Sequence, residues 1–147
     1  MKDINSNLKV VRALDPAVNT DIGTTPLVSE WINRKQSSIL FNALLIAIAL
    51  GDLTDADAVY AVSYEHADDD GAGAVDTGTI VAVPAADIIG TSADFAFGDD
   101  DEVRQVGYIG DKQYVRVTIT PTTTAQTGNT PVSIVGILGE PTQFPTA

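Results

Sequence analysis

The chain has 147 residues, 20 acids against 8 lysines and arginines, a net charge of −12 and no cysteine. That length can bury a core without a disulfide or a metal, and the missing thiols exclude a cysteine nucleophile or a Cys-ligated zinc. The negative charge disfavours nucleic acid and anionic membrane surfaces as partners, and the longest apolar run, Ile39–Leu50 with Asn42 inside it, falls short of the ~20 residues of a membrane-spanning helix.

The first residues, MKDINSNLKVV, lack a long apolar stretch followed by a small-residue cleavage site, so an origin in the cytoplasm is expected. Charge is unevenly placed: residues 52–102 carry fourteen acids and no lysine or arginine. A solvated acidic face is the plainer reading, an electrostatic partner the sharper one.

In chain order, residues 1–7 read as an arm and residues 8–14 as a first strand, with Leu8, Val10 and Leu14 on one parity and Arg12 the exception. Asp15-Pro16 opens a turn-rich connection to Pro26, and residues 27–33 form a short strand carrying Trp31. Residues 37–50 alternate Ile, Leu and Ala without charge, which fits a strand covered on both faces better than a helix. After the turn at 51–57, residues 58–66 alternate as a strand, and the glycine-rich acidic run 68–78 is the expected mobile loop. Short strands follow at 79–83 and 94–97, with a turn or single helical turn at 85–89 between them.

The clearest pattern lies at residues 103–121. Val115, Val117 and Ile119 face one way and Arg116 and Thr118 the other, and Gly110-Asp111 separates this run from a second β-rich run at 103–109. Together they read as a hairpin closed by Pro121. A polar loop at 122–131, a last strand at 132–138 and a tail at 139–147 complete the chain. About eight short strands separated by turn signals predict an all-β fold, an antiparallel β-sandwich of jelly-roll type, in one domain spanning 1–147. Residues 39–50 and 132–138 are apolar on both parities. Since a two-layer sandwich buries one face of each strand, this excess predicts a subunit interface or a covering loop on the outside.

Chemistry finds little support. His66, the one histidine, reads as a surface residue beside Asp68, Asp69 and Asp70, and no serine lies in a nucleophile elbow. No catalytic residue, cofactor site or metal site is assigned. The acidic clusters at 52–57, 68–76 and 99–102 lack calcium-loop spacing, and Trp31, Phe95 and Phe97 read as core rather than as a sugar platform. A calcium- or carbohydrate-binding module is thus an alternative of another class.

Three stretches, LKVVRALDPAV, GDLTDADAVYAVSYEHADD and VRQVGYIGDKQYVRVTITP, with VSIVGILGEP after them, resemble a group of small tailed-bacteriophage proteins encoded beside the major capsid gene. The resemblance implies a virion structural protein of the capsid decoration, or cement, type. It would be made in the host cytoplasm and sit on the outer capsid surface, as a homotrimer bound to the major capsid protein, with no nucleic acid or membrane partner. A head–tail joining or tail component is the alternative within the same particle. Leu8, Val10, Arg12, Trp31, Arg104 and Arg116 are the candidate interface residues, with arm 1–7 and tail 139–147 as candidate connections between subunits.

Overall fold

A computed structural model describes residues 7–91, 93–122 and 126–142. Twelve strands lie among them: β1 (Lys9–Thr20), β2 (Leu27–Val28), β3 (Ile32–Asn33), β4 (Lys35–Gln36), β5 (Ile39–Leu50), β6 (Val59–Ala67), β7 (Val81–Ala82), β8 (Ile88–Ile89), β9 (Phe95–Ala96), β10 (Val103–Tyr108), β11 (Tyr114–Pro121) and β12 (Asn129–Pro141). The first sheet runs β1-β12-β5-β10-β8, with β4 beside β5. The second runs β2-β11-β6-β7, with β3 beside β11 and β9 beside β6.

Every pairing is antiparallel. Counting β2 and β3 as one interrupted strand, eight principal strands pair as β1 with β12, β2–β3 with β11, β5 with β10, and β6 with β7. A ribbon of four such pairs, folded so that alternate pairs join alternate sheets, is the jelly roll expected from the strand count.

Period-2 burial holds the layers together. Val115, Val117 and Ile119 are fully buried, as expected, and meet Ile46, Ile48, Ile134 and Leu138 from the first sheet. Each such side chain contributes about 1.5–3 kcal/mol by leaving water. Residues 39–50 are a strand, as their uncharged alternation predicted, with Leu44, Ile46, Ile48 and Leu50 facing inward.

Several expectations are corrected. Residues 103–121 are not a hairpin: β10 pairs with β5 and β8, β11 pairs with β6, β2 and β3, and residues 109–113 cross from one sheet to the other. The first strand does not stop at Leu14. It runs through Asp15-Pro16 to Thr20, absorbing them with register shifts between Arg12 and Leu14 and between Leu14 and Ala17, since an edge strand tolerates a bulge and a proline. Its inward residues are Val11 and Ala13, so Leu8, Val10 and Arg12 share the outer side. The strand at 27–33 is interrupted at 29–31, where the Val117 amide donates to Ser29 Oγ at 3.0 Å. Residues 79–83 shrink to β7 after a 3₁₀ turn at Thr77–Thr79, and β12 extends over both the end of the polar loop and the start of the tail.

The glycine-rich run at 68–78 is closed by its own hydrogen bonds. Asp70 Oδ1 accepts from the amides of Ala72 and Ala74, and the amide of Asp76 donates to the Asp68 carbonyl. His66 is not at the surface but 4% exposed, its Nδ1 2.9 Å from the Tyr108 hydroxyl across the two sheets. The arm at 1–7 lies outside the described residues except for Asn7, as do tail residues 143–147.

Candidate interaction surface

The outer face of the first sheet is its most unusual feature. Register aligns outward-facing residues into rows running across the strands. One row is Val10, Ile137, Leu45, Gly107 and Ile89, and the next is Arg12, Val135, Ala47 and Gln105. A third holds Ser133, Ala49 and Val103. Above the first row lie Leu8, Gly139 and Ala43, since a Cβ on Gly139 would come within 3.3 Å of Leu8 and 3.9 Å of Ala43.

Across these rows the only polar side chains are Arg12, Gln105 and Ser133, and the only charge, Arg12, is paired at 2.6 Å with Asp15. Large apolar groups stand at the margins, with Val10 61%, Ile89 57%, Ile109 57% and Val103 65% exposed. The small residues Ala43, Gly107 and Gly139 open a trough of about 610 Å³ among the larger side chains of Leu8, Leu45, Ile109 and Ile137. The apolar excess on both parities of residues 39–50 and 132–138 therefore lies uncovered among the described residues.

The outer face of the second sheet has the opposite character. Arg116 donates from Nε and Nη2 to Glu65 Oε2, at 3.0 and 2.6 Å, and its guanidinium lies 4.5 Å from the Trp31 ring centre. Ser63, Thr118 and Thr120 continue this polar surface. Trp31 is thus half-buried beneath an arginine rather than in the core. Phe95 is in the core, stacked on Tyr60 with ring centres 4.6 Å apart, whereas Phe97 is 37% exposed.

The six candidate interface residues therefore divide. Leu8, Val10 and Arg12 join the apolar face, and Trp31 and Arg116 meet each other on the polar one. Arg104 lies at one end of the sandwich, bound to Asp99 at 2.8 Å and Glu102 at 3.0 Å. Sequence reasoning missed the β8 and β10 margin, Ile89, Val103 and Ile109. The signal for Val103 was present in the alternation of its strand, but the short β8 offered no periodicity.

The acidic clusters serve local backbone and side-chain bonds. Asp55 accepts from the amides of Thr127 and Asp57, which hold its carboxyl below the usual range, and the Ala72 and Ala74 amides do the same for Asp70. Asp68 pairs with Lys112 Nζ at 2.6 Å, and Asp100 accepts from the Leu53 amide. Among the described residues no three His, Cys, Asp or Glu converge on a point where a cation would sit. A buried cation does lie inside: Arg34, 3% exposed, donates to the carbonyls of Lys112 and Asn42 and lies 5.2 Å from the Tyr108 ring centre. Burial lowers its affinity for its proton. Its carbonyl partners make it a clamp between β5 and the 109–113 crossover.

No family model matches the sequence, and no curated protein is similar to it. Among solved structures, the tobacco streak virus coat protein is 13% identical, with 100% of this chain and 96% of that one covered and a TM-score of 0.38. Latent PorU from Porphyromonas gingivalis is 6% identical over 91% of this chain and 13% of its own, with a TM-score of 0.39. VP2 of infectious bursal disease virus is 9% identical over 91% of this chain and 41% of its own, with a TM-score of 0.28. At TM-scores this low, such likenesses fix neither family nor activity.

Proposed function

We propose that the chain is a non-enzymatic structural protein of a virus particle, and specifically a decoration or cement protein on the outside of a tailed-phage head. The observation that carries an assembly role is the apolar outer face of the first sheet, because an exposed apolar patch of this extent on a folded protein marks a surface that another protein covers. The phage setting comes from the resemblance of the stretches at 8–18, 51–69, 103–121 and 132–141 to small proteins encoded beside the capsid gene. The jelly-roll strand order is compatible with that setting, although a fold of this kind hosts many functions.

In this reading the chain is one domain made in the host cytoplasm and bound to the major capsid protein as a homotrimer. A clip that spans two capsid subunits binds the assembled shell better than separated subunits and stabilises the shell by that difference. Several weak contacts then add through effective concentration. Leu8, Val10 and Arg12 are the leading residues for contact between subunits. Trp31, Arg104 and Arg116, already engaged within the chain, come second, and the segments 1–7 and 139–147 are the candidate arms.

Mass spectrometry and cryo-microscopy of the purified parent particle test the reading. The protein is expected on the outer head surface, and particles lacking it should release their genome at a lower temperature. Deletion of residues 1–7 should lower occupancy while the sandwich stays folded. Location in the tail or neck, or equal heat resistance without the protein, would overturn the cement role and favour a tail or joining component.

A further inference from the structure

We infer that the apolar face of the first sheet pairs with the same face of a second copy, about a two-fold axis lying in the interface, along the strands and above the gap between β12 and β5. The inference takes from the proposed function only that this face is an association surface.

The overlap approaches the size that a pair needs. The four strands that this axis superposes, ~4.8 Å apart over seven residues of ~3.4 Å each, cover roughly 450 Å² before side-chain relief is counted. Standard interfaces begin at about 600 Å² from each partner. The surface is also self-complementary. An axis over the β12–β5 gap sets β1 of one copy over β10 of the other, and β12 over β5, in the aligned packing usual for stacked sheets.

Register then decides which side chains meet. In the first row Val10 would stand over Gly107 of the second copy, where the missing side chain leaves room between Leu45 and Ile89, and Ile137 would meet Leu45. In the next row Val135 would meet Ala47, and Arg12 would stand over Gln105. Arg12 and Gln105, two of the three polar side chains on the face, thus occupy the same row at equal distances from the axis. The guanidinium keeps donors for the Gln105 carbonyl oxygen while still holding Asp15. A partner of unrelated shape would give no reason for this symmetry.

Charge does not oppose self-contact at this face. Each copy carries −12, so two copies repel, but the rows of this face hold no carboxylate, and the Asp15 beside them is paired with Arg12. Salt screens that repulsion while leaving apolar burial in place, so the pair should tighten as salt rises. The pairing is two-fold and does not itself build a trimer. A three-fold grouping on a shell would use other surfaces.

Sedimentation equilibrium of the full-length protein should give twice the chain mass. Val10→Glu and Ala47→Glu should each raise the dissociation constant about a hundredfold or more, with unchanged circular dichroism. Val10 is 61% exposed, so its variant folds even if the second does not. The chain has no cysteine, which permits a sharper test: in an Arg12→Cys, Gln105→Cys double variant a short bis-maleimide should join two chains into a covalent dimer, and in neither single variant should it do so. Facing positions on stacked sheets are about 10 Å apart, whereas within one chain these two are three strands, about 14 Å, apart. A monomer or trimer, a dimer that dissociates as salt rises, or a double variant that the linker leaves as single chains would overturn the pairing. Absence of the protein from the outer head would instead overturn the cement reading and leave the pairing intact.

Discussion

Two tyrosines four residues apart on the inner side of β6 are treated differently by their surroundings. The Tyr60 hydroxyl lies 2.9 Å from Gln126 Oε1 and 2.6 Å from Thr130 Oγ1, whereas the buried Tyr64 hydroxyl has no hydrogen-bond partner among the described residues. Tyr60→Phe should therefore cost about 1–3 kcal/mol by stranding the buried Thr130 hydroxyl, while Tyr64→Phe should be neutral or stabilising. Thermal melts of the two variants check this. Burial, followed by the nearby charge of Asp94, pushes the Tyr64 hydroxyl up to about 12. Burial is also the first cause of the upward shifts at Tyr60, Tyr108 and Tyr114. The unfolded chain ionises its tyrosines near 10.0, so the stability held by these neutral phenols is full below that pH and is lost as pH rises toward 12. Alkaline titration should show tyrosinate absorbance rising together with unfolding. Residues of this kind were half legible in the sequence. Alternation over residues 58–66 puts Tyr60 and Tyr64 on one face, but their surroundings lie on strands and loops far along the chain. His66 illustrates the same limit, since its acidic neighbours in sequence suggested a surface position and its neighbour in space is Tyr108.

At the scale of the element, the 109–113 crossover matters most. Gly110 lies against the Tyr108 ring so closely that a Cβ there would be 2.6 Å from Cζ and nearer still to the hydroxyl. Tyr108 is fully buried, bonded to His66 and to the Lys112 amide, and has no room to yield. Gly110→Ala should thus destabilise by about 1–3 kcal/mol, read as a lower urea midpoint at unchanged slope. The sequence presented Gly110-Asp111 as a hairpin turn because alternation tells which face of a strand is buried and says nothing about its neighbour. In this fold β6 and β7 are the principal partners that also follow one another in the chain. All other principal connections pass between the sheets. The apolar excess on β5 and β12 was legible for a related reason: it is a property of each strand alone, needing no knowledge of pairing. The β1 boundary was not, because Asp15-Pro16 signals a turn unless a bulged edge is already known.

Across the whole molecule, the first strand pairs with the last: Lys9 lies opposite Leu138 and Thr20 opposite Asn129. Closing contacts over such separations costs chain entropy before they contribute, so refolding after dilution from denaturant should take milliseconds to seconds, as for other β-sandwiches. Stopped-flow fluorescence of Trp31 would report it. The same register sets the mechanical response of the molecule. The beginning of β1 and the end of β12 leave the sheet side by side, so tension between them reaches one hydrogen-bonded pair at a time, starting at Lys9–Leu138, and peels the two strands apart like a zipper. Load applied along the two strands from opposite ends would instead strain many pairs together. In an optical trap, handles at residues 7 and 142 should open the sandwich at a much lower force than handles at residues 7 and 129, which lie at opposite ends of the β1–β12 pair. A protein tethered to a shell by either end alone would never feel that weak axis.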